Sequence, residues 1–262
     1  MSYRQLTRPA TRVRRASIHR SSHRPDDWVW LFDLDNTLHD TSHKIFAHIS
    51  VGMTEAVMES LNVDETTAHE LRRKYWEQYG ATMIGLAKHH DVDPHQFLYR
   101  SHSFDVRPLI KAEKGLAHRF RKLPGRKVLV TNAPLHYAKA VLMHLGILKD
   151  FESIWSVEHM RVHGHYRPKP SVSLMRHILA CEGTRPGRTV LIEDTLSNLK
   201  AARAVGLRTV HIYHPGTPFA HRRKGRPHYV DLRINQIRDL LTGRRKLTRR
   251  STLSEPSYLH RD

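Results

Sequence analysis

Four short runs in this chain, Trp28–Phe32, Lys127–Thr131, Thr189–Glu193 and Thr209–Ile212, are apolar and partly β-branched, and helix-length segments lie between them. Runs of this kind read as strands buried on both faces, the usual state of a parallel sheet. The intervening segments Leu109–Leu123, Pro134–Leu145 and Thr195–Val205 predict helices, because each stops at Pro124-Gly125, Gly146 or Gly206, where a C-cap or turn is expected. Strand and helix in alternation imply right-handed βαβ units, so the chain is expected to be α/β, with an open, doubly wound parallel sheet. One stretch breaks the rhythm. From about Thr41 to Arg107 helix follows helix, and Phe46, Ile49, Met53, Val57 and Leu61 recur at spacings of three and four as one apolar stripe. The expected organisation is therefore a core of residues 28–40 and 108–216, with an all-helical insert, 41–107, after the first strand.

The chain has 262 residues, 39% of them hydrophobic, enough for a large core with a smaller inserted unit. Its charge is unusual: 44 Lys and Arg against 25 Asp and Glu give +19, with 22 His besides. Such a balance calls for an anionic partner, whether polyanion, substrate or acidic surface. Position narrows the choice. Residues 1–27 carry seven Arg against Asp26 and Asp27, while 217–240 and 241–262 each carry six Lys and Arg against two acids. Residues 1–27 thus read as a basic, disordered tail and 217–262 as a basic C-terminal extension, able to make nonspecific polyanion contacts. No RNA-recognition, zinc-finger or homeodomain pattern accompanies them. The single cysteine, Cys181, excludes an internal disulfide and fits a reducing compartment, and on its predicted helix it reads as a small buried apolar residue. The longest apolar run, Trp28–Phe32, is far short of the ~20 residues of a bilayer span, and the N-terminus lacks a secretory signal. A cytoplasmic location without membrane contact is expected.

Chemistry gathers where the predicted strands end. The first runs into Asp33-Leu34-Asp35-Asn36-Thr37, the second delivers Thr131-Asn132, and the third delivers Glu193-Asp194. In open α/β sheets ligands bind outside the carboxyl ends of the strands, so parallel neighbours would bring these residues to one edge. Four carboxylates there repel unless a cation sits among them, and all-oxygen ligation with open positions suits Mg²⁺. Lys169, stiffened between Pro168 and Pro170, is placed to offset charge on a phosphoryl group and a nucleophile together.

The order Asp33-x-Asp35-x-Thr37, Thr131, Lys169, Glu193-Asp194 resembles the four motifs of the haloacid dehalogenase-like superfamily, over about residues 28–216. The resemblance implies a Rossmann-like core with a helical cap inserted after the first motif, and an Mg²⁺-dependent phosphohydrolase. By that resemblance Asp33 is the nucleophile, and Asp35 protonates the leaving oxygen and then activates water. Thr131 and backbone N–H groups near Asn132 hold phosphoryl oxygens, and Lys169 offsets charge. Asp33, the backbone carbonyl of Asp35 and Asp194 bind the metal directly, with Glu193 acting through water. Dehalogenase members lack the second Asp, because a leaving halide needs no proton, so Asp35 favours phosphate esters.

Within the insert, Tyr79-Gly80-Ala81-Thr82-Met83-Ile84-Gly85-Leu86 is similar to a cap segment of the superfamily's pyrimidine 5′-nucleotidases, as is Asn132-Ala133-Pro134 with His136-Tyr137-Ala138 after the second motif. That resemblance implies a pyrimidine nucleoside 5′-monophosphate as substrate, contacted by Asn132, Tyr79 and Thr82, with another small metabolite such as phosphoglycolate or a sugar phosphate as the alternative. The glycines are expected to let cap backbone approach the ligand, and Trp76 to belong to the cap interior. His89-His90 and His163-Gly164-His165 lack the spacing of a helical zinc site and read as solvated surface groups.

Overall fold

The computed structural model describes residues 28–213 and 226–249. The expected N-terminal tail lies outside them, as do 214–225 and 250–262. After β1 (Val29–Phe32) come four helices, α1 (Ile45–Leu61), α2 (Glu65–Tyr79), α3 (Thr82–His89) and α4 (Pro94–Ser101). The chain returns through α5 (Leu116–Lys122), β2 (Arg126–Val130), α6 (Leu135–His144), β3 (Ser153–Trp155) and a two-stranded hairpin, β4 (Arg161–Val162) with β5 (His165–Tyr166). It continues through α7 (Val172–Glu182), β6 (Thr189–Glu193), α8 (Leu196–Arg203), β7 (Arg208–Ile212), β8 (Leu232–Ile234) and α9 (Arg238–Arg249).

The six-stranded sheet has the order β3-β2-β1-β6-β7-β8 and every pairing in it is parallel, the Rossmann-like α/β architecture expected. Alternation along β1 explains why both faces are covered. Trp30 and Phe32 point to a core shared with α5, α6 and α9, and Val29 and Leu31 to one shared with α7 and α8. On the first face Phe32 packs between Phe120 and Phe151, with ring centroids 4.9 and 6.2 Å away.

Two expectations need correction. The helix predicted over Leu109–Leu123 forms only as α5, because Gly115 takes a left-handed φ of +71° at its start and the preceding residues run as a linker, where Lys111 O accepts from Asp40 N. The C-terminal region is not simply a basic extension. Leu232 and Ile234 are buried in β8, which pairs with β7, and Ile237, Leu240 and Leu247 are buried against the first core face. These apolar positions are few and sit among Arg and Lys, so net charge concealed their period.

The four helices between β1 and α5 have their own apolar cluster, including Val57, Ala68, Tyr75, Leu86 and Phe97. Gly85 serves this packing rather than a ligand: a Cβ there would lie 2.1 Å from Cγ of Tyr75. Gly80, with φ of +76°, is the left-handed C-cap of α2. Among the described residues no helix is long and apolar enough to cross a membrane.

Candidate active site

Parallel register brings the chemistry together. Phe32 pairs with Leu129 on one side and Ile192 on the other, so the residues just beyond β1, β2 and β6 emerge side by side. Asp33 leaves the sheet with its N–H donating to Ile192 O at 3.0 Å, and Thr131 donates its N–H to Trp155 O at 2.8 Å. The chain then turns through Asn36, whose φ of +56° is tolerated by Asn, and Thr37 donates its hydroxyl back to Asp33 Oδ2 at 3.1 Å.

Lys169 arrives from the loop before α7 and is buried. Its Nζ donates to Asp33 Oδ1 at 2.6 Å and to Glu193 Oε2 at 2.7 Å. Asn132 holds this loop in place, donating from Nδ2 to Lys169 O and accepting from Lys169 N at Oδ1, each at 3.0 Å. The side chain of Asn132 thereby positions Lys169, and the residue also lines the cleft. The N–H of Ala133 is taken by Thr131 Oγ1 at 3.0 Å.

Three carboxylates cluster here, and two of them, Asp33 and Glu193, contact this one ammonium. One oxygen from each of Asp33, Glu193 and Asp194 lies within 4.8 Å of the others. Burial pushes the Asp33 carboxyl up to about 7, with the Glu193 charge adding to it. Glu193 is likewise pushed up to about 7 by burial, and burial raises Asp194. Burial would lower the Lys169 ammonium, but Asp33 and Glu193 outweigh it and raise it. Acids so short of counter-charge, offering only hard oxygen donors, fit a divalent cation.

The side chain of Asp35 stands apart from that cluster. Burial would raise its carboxyl, yet hydrogen bonds from His39, Tyr137 and Thr41 together hold it below the ordinary aspartate value. Tyr137 and Thr41 donate at 2.8 and 2.9 Å. Tyr137 lies 102 residues from Asp35 in the chain, in the segment that resembles the nucleotidases after the second motif, and His39 lies just past the D-x-D-x-T pattern without belonging to it.

Asp33, Asp35, Thr131, Asn132, Lys169, Glu193, Asp194 and Thr82 all line one cleft of about 390 Å³ between the cap helices and the sheet edge. Tyr79 is not among its lining residues: it packs with the cap cluster and its hydroxyl is 2.6 Å from His89 Nε2. Thr82 is buried in the wall, its hydroxyl donating to Arg72 O at 3.3 Å. Trp76 overturns its expected place in the cap interior, being 60% exposed and part of the cleft wall. The apolar stripe of α1 divides: Phe46, Ile49 and Met53 face the cleft, and Val57 enters the cap core. His102, at the end of α4, also lines the cleft; no sequence pattern distinguishes it from the chain's other histidines. A larger cavity, about 570 Å³, borders the other side of the Thr37–Asp40 turn but is lined by none of Asp33, Asp35, Glu193 or Asp194. Cys181, expected to be buried, is exposed on α7.

Comparison with known proteins agrees with this geometry. The chain is 25% identical over 198 residues to phosphate metabolism protein 8 of Saccharomyces cerevisiae, spanning 71% of this chain and 61% of that longer protein. It is 25% identical over 194 residues to fructose-1-phosphate phosphatase YqaB of Escherichia coli, spanning 70% of this chain and 94% of the relative. Among solved structures, CbbY from Rhodobacter sphaeroides in complex with phosphate superposes with a TM-score of 0.55 at 21% identity, covering 82% of this chain and 96% of that one, which shows a shared fold. The family model for haloacid dehalogenase-like hydrolases matches residues 30–212, the span that holds the cap, the carboxylate edge and all of the sheet but β8 and the first residue of β1, and the chain belongs to that family.

Proposed function

We propose that this hydrolase cleaves small phosphomonoesters with Mg²⁺ as cofactor, through an aspartyl-phosphate on Asp33. The observation that carries the reading is the pairing of two carboxylates with separate environments: Asp33 on Lys169, and Asp35, two residues later, on hydroxyl and imidazole donors. Asp33, Glu193 and Asp194 would hold a divalent cation, whose positive charge would keep these acids ionised and offset charge on the phosphoryl group. Asp33 attacks phosphorus while the bond to the leaving oxygen breaks, and Asp35 gives that oxygen a proton. Asp35 then takes a proton from water as the water oxygen bonds phosphorus and the bond from Asp33 breaks, releasing inorganic phosphate. Lys169 stays charged throughout and holds Asp33 in line. A halide displacement would leave Asp35 without work, which favours the phosphate ester.

The substrate we favour is a pyrimidine nucleoside 5′-monophosphate. Supporting it are the cap segment around Tyr79–Leu86 and a cleft wall in which Phe46 and Trp76 are among the few large apolar side chains left exposed. Among the described residues Lys169 is the one Lys or Arg lining the cleft, so a second anionic group on the substrate finds no counter-charge on the cap. The alternative is another small metabolite, such as a sugar phosphate or phosphoglycolate.

Phosphate release from UMP, CMP, purine nucleotides, fructose 1-phosphate and phosphoglycolate decides between them. UMP or CMP should give the highest kcat/KM, and Asp33→Asn should abolish turnover. Base stacking worth ~1–3 kcal/mol makes Trp76→Ala lower kcat/KM for UMP about fivefold or more, leaving fructose 1-phosphate nearly unchanged. A preference for phosphoglycolate or fructose 1-phosphate would overturn the substrate, and turnover by Asp33→Asn would overturn the mechanism.

A further inference from the structure

Among the described residues, all the hydrogen bonds that Asp35 receives from side chains fall on one oxygen. Oδ1 accepts from Tyr137 Oη at 2.8 Å and Thr41 Oγ1 at 2.9 Å, and His39 Nε2 is 3.2 Å away. Oδ2 has no hydrogen bond among the described residues, and Asp35 lines the cleft. A carboxylate oxygen offers about two lone-pair sites, so Oδ1 is saturated and Oδ2 is left to exchange a proton.

The Tyr137 ring is boxed by the segment through which the cap returns to the core. Tyr137 is 2% exposed on the first turn of α6, with His102 and Phe104 rings 5.4 and 6.4 Å from its own. Phe104 in turn stacks at 5.4 Å on His48 of the cap helix α1. His39 and Thr41 belong to the outgoing linker, between β1 and α1. The donors on Oδ1 are thus carried by, or packed against, both connections between cap and core.

We infer that Tyr137 is a positioning residue for the acid/base step: its hydroxyl, braced by the returning cap segment, fixes Oδ1 of Asp35 and so orients Oδ2 for proton exchange in the cleft. The inference rests on the acid/base role of Asp35 proposed above. The proton leaves Oδ2 for the leaving oxygen as the phosphorus–oxygen bond breaks, and a proton from water returns to Oδ2 in the second step.

The test uses the full chain with Mg²⁺ and two substrates that differ in how much they need a proton. An alkyl phosphate must have its leaving oxygen protonated, whereas p-nitrophenolate leaves without one. The ratio of their kcat/KM values reports acid function in the first step, and a role confined to packing would lower both equally. General acid catalysis contributes ~10²–10⁴-fold, so Tyr137→Phe, which keeps the ring, should cut kcat/KM for the alkyl ester about tenfold or more and for p-nitrophenyl phosphate less than about threefold. Asp35→Asn should show the same selectivity more strongly, and His39→Leu should shift the ratio in the same direction with Tyr137 intact. Equal losses on both substrates in Tyr137→Phe, or none, overturn the inference if Asp35→Asn is selective. If Asp35→Asn is itself unselective, the acid/base reading fails first. A crystal structure of Tyr137→Phe with the Asp35 carboxylate unmoved would also overturn it.

Discussion

Removing the ammonium from the carboxylate cluster is the sharpest test of the site's electrostatics. In Lys169→Met a chain of similar length remains but Asp33, Glu193 and Asp194 lose their internal cation. At 2.6 and 2.7 Å each contact is worth about 6 kcal/mol of gross Coulomb attraction at an effective dielectric near 20, most of it offset by the cost of burying the ammonium. What the variant suffers is the net cost of uncompensated buried charge, ~3–5 kcal/mol when one partner of a buried pair is removed. For a domain of this size each kcal/mol lowers Tm by roughly 2–4 °C, so melting in the presence of a chelator should fall by about 6–20 °C. Added Mg²⁺ should then stabilise Lys169→Met more than the unaltered protein, because the same acids bind it without a competing ammonium. Thermal denaturation with chelator and across a Mg²⁺ titration reads both effects. A variant that melts with the unaltered protein in chelator would show that Lys169 is not the cluster's counter-charge. A response to Mg²⁺ no larger than that of the unaltered protein would show that the acids are not a cation site.

Two further outcomes follow from the packing. Burial lowers His102 from 6.5 to about 4, so the unfolded chain binds a proton that the folded one refuses between those values. Its contribution is nil above about pH 6.5, and stability is lost as pH falls through that window. Partial exposure limits the loss to about 1–2 kcal/mol, and urea midpoints of His102→Asn should vary less between pH 6.5 and 4 than those of the unaltered protein; identical profiles would refute the assignment. Leu240 is fully buried, so Leu240→Ala should cost ~2–5 kcal/mol by denaturant unfolding. A cost under about 0.5 kcal/mol would mean that α9 contributes nothing to the core.

Much of the architecture is legible in the chain because strand burial and strand position share one cause. β1 and the inner parts of β2 and β6, residues 128–130 and 190–192, are apolar since both their faces are covered, and Asp33, Thr131 and Glu193-Asp194 stand where those runs end. The C-terminal strand and helix were hidden because the apolar residues that bury them are outnumbered by Arg and Lys. Trp76 and Tyr79 show the limit from another side. Both are aromatic, three residues apart on α2, and helical spacing alone does not say which meets the cleft and which meets the cap interior.

The sequence by itself determined the α/β class, the helical insert and the set of acids with their lysine, because each depends on local pattern: hydrophobic period, turn residues and the step from strand to loop. Only the tertiary structure decided what those residues do for one another. It made Asn132 a clamp on Lys169, brought Tyr137 on α6 to Asp35, and placed Trp76 in the cleft. Such assignments depend on directions in space between segments far apart in the chain, and no local pattern records them.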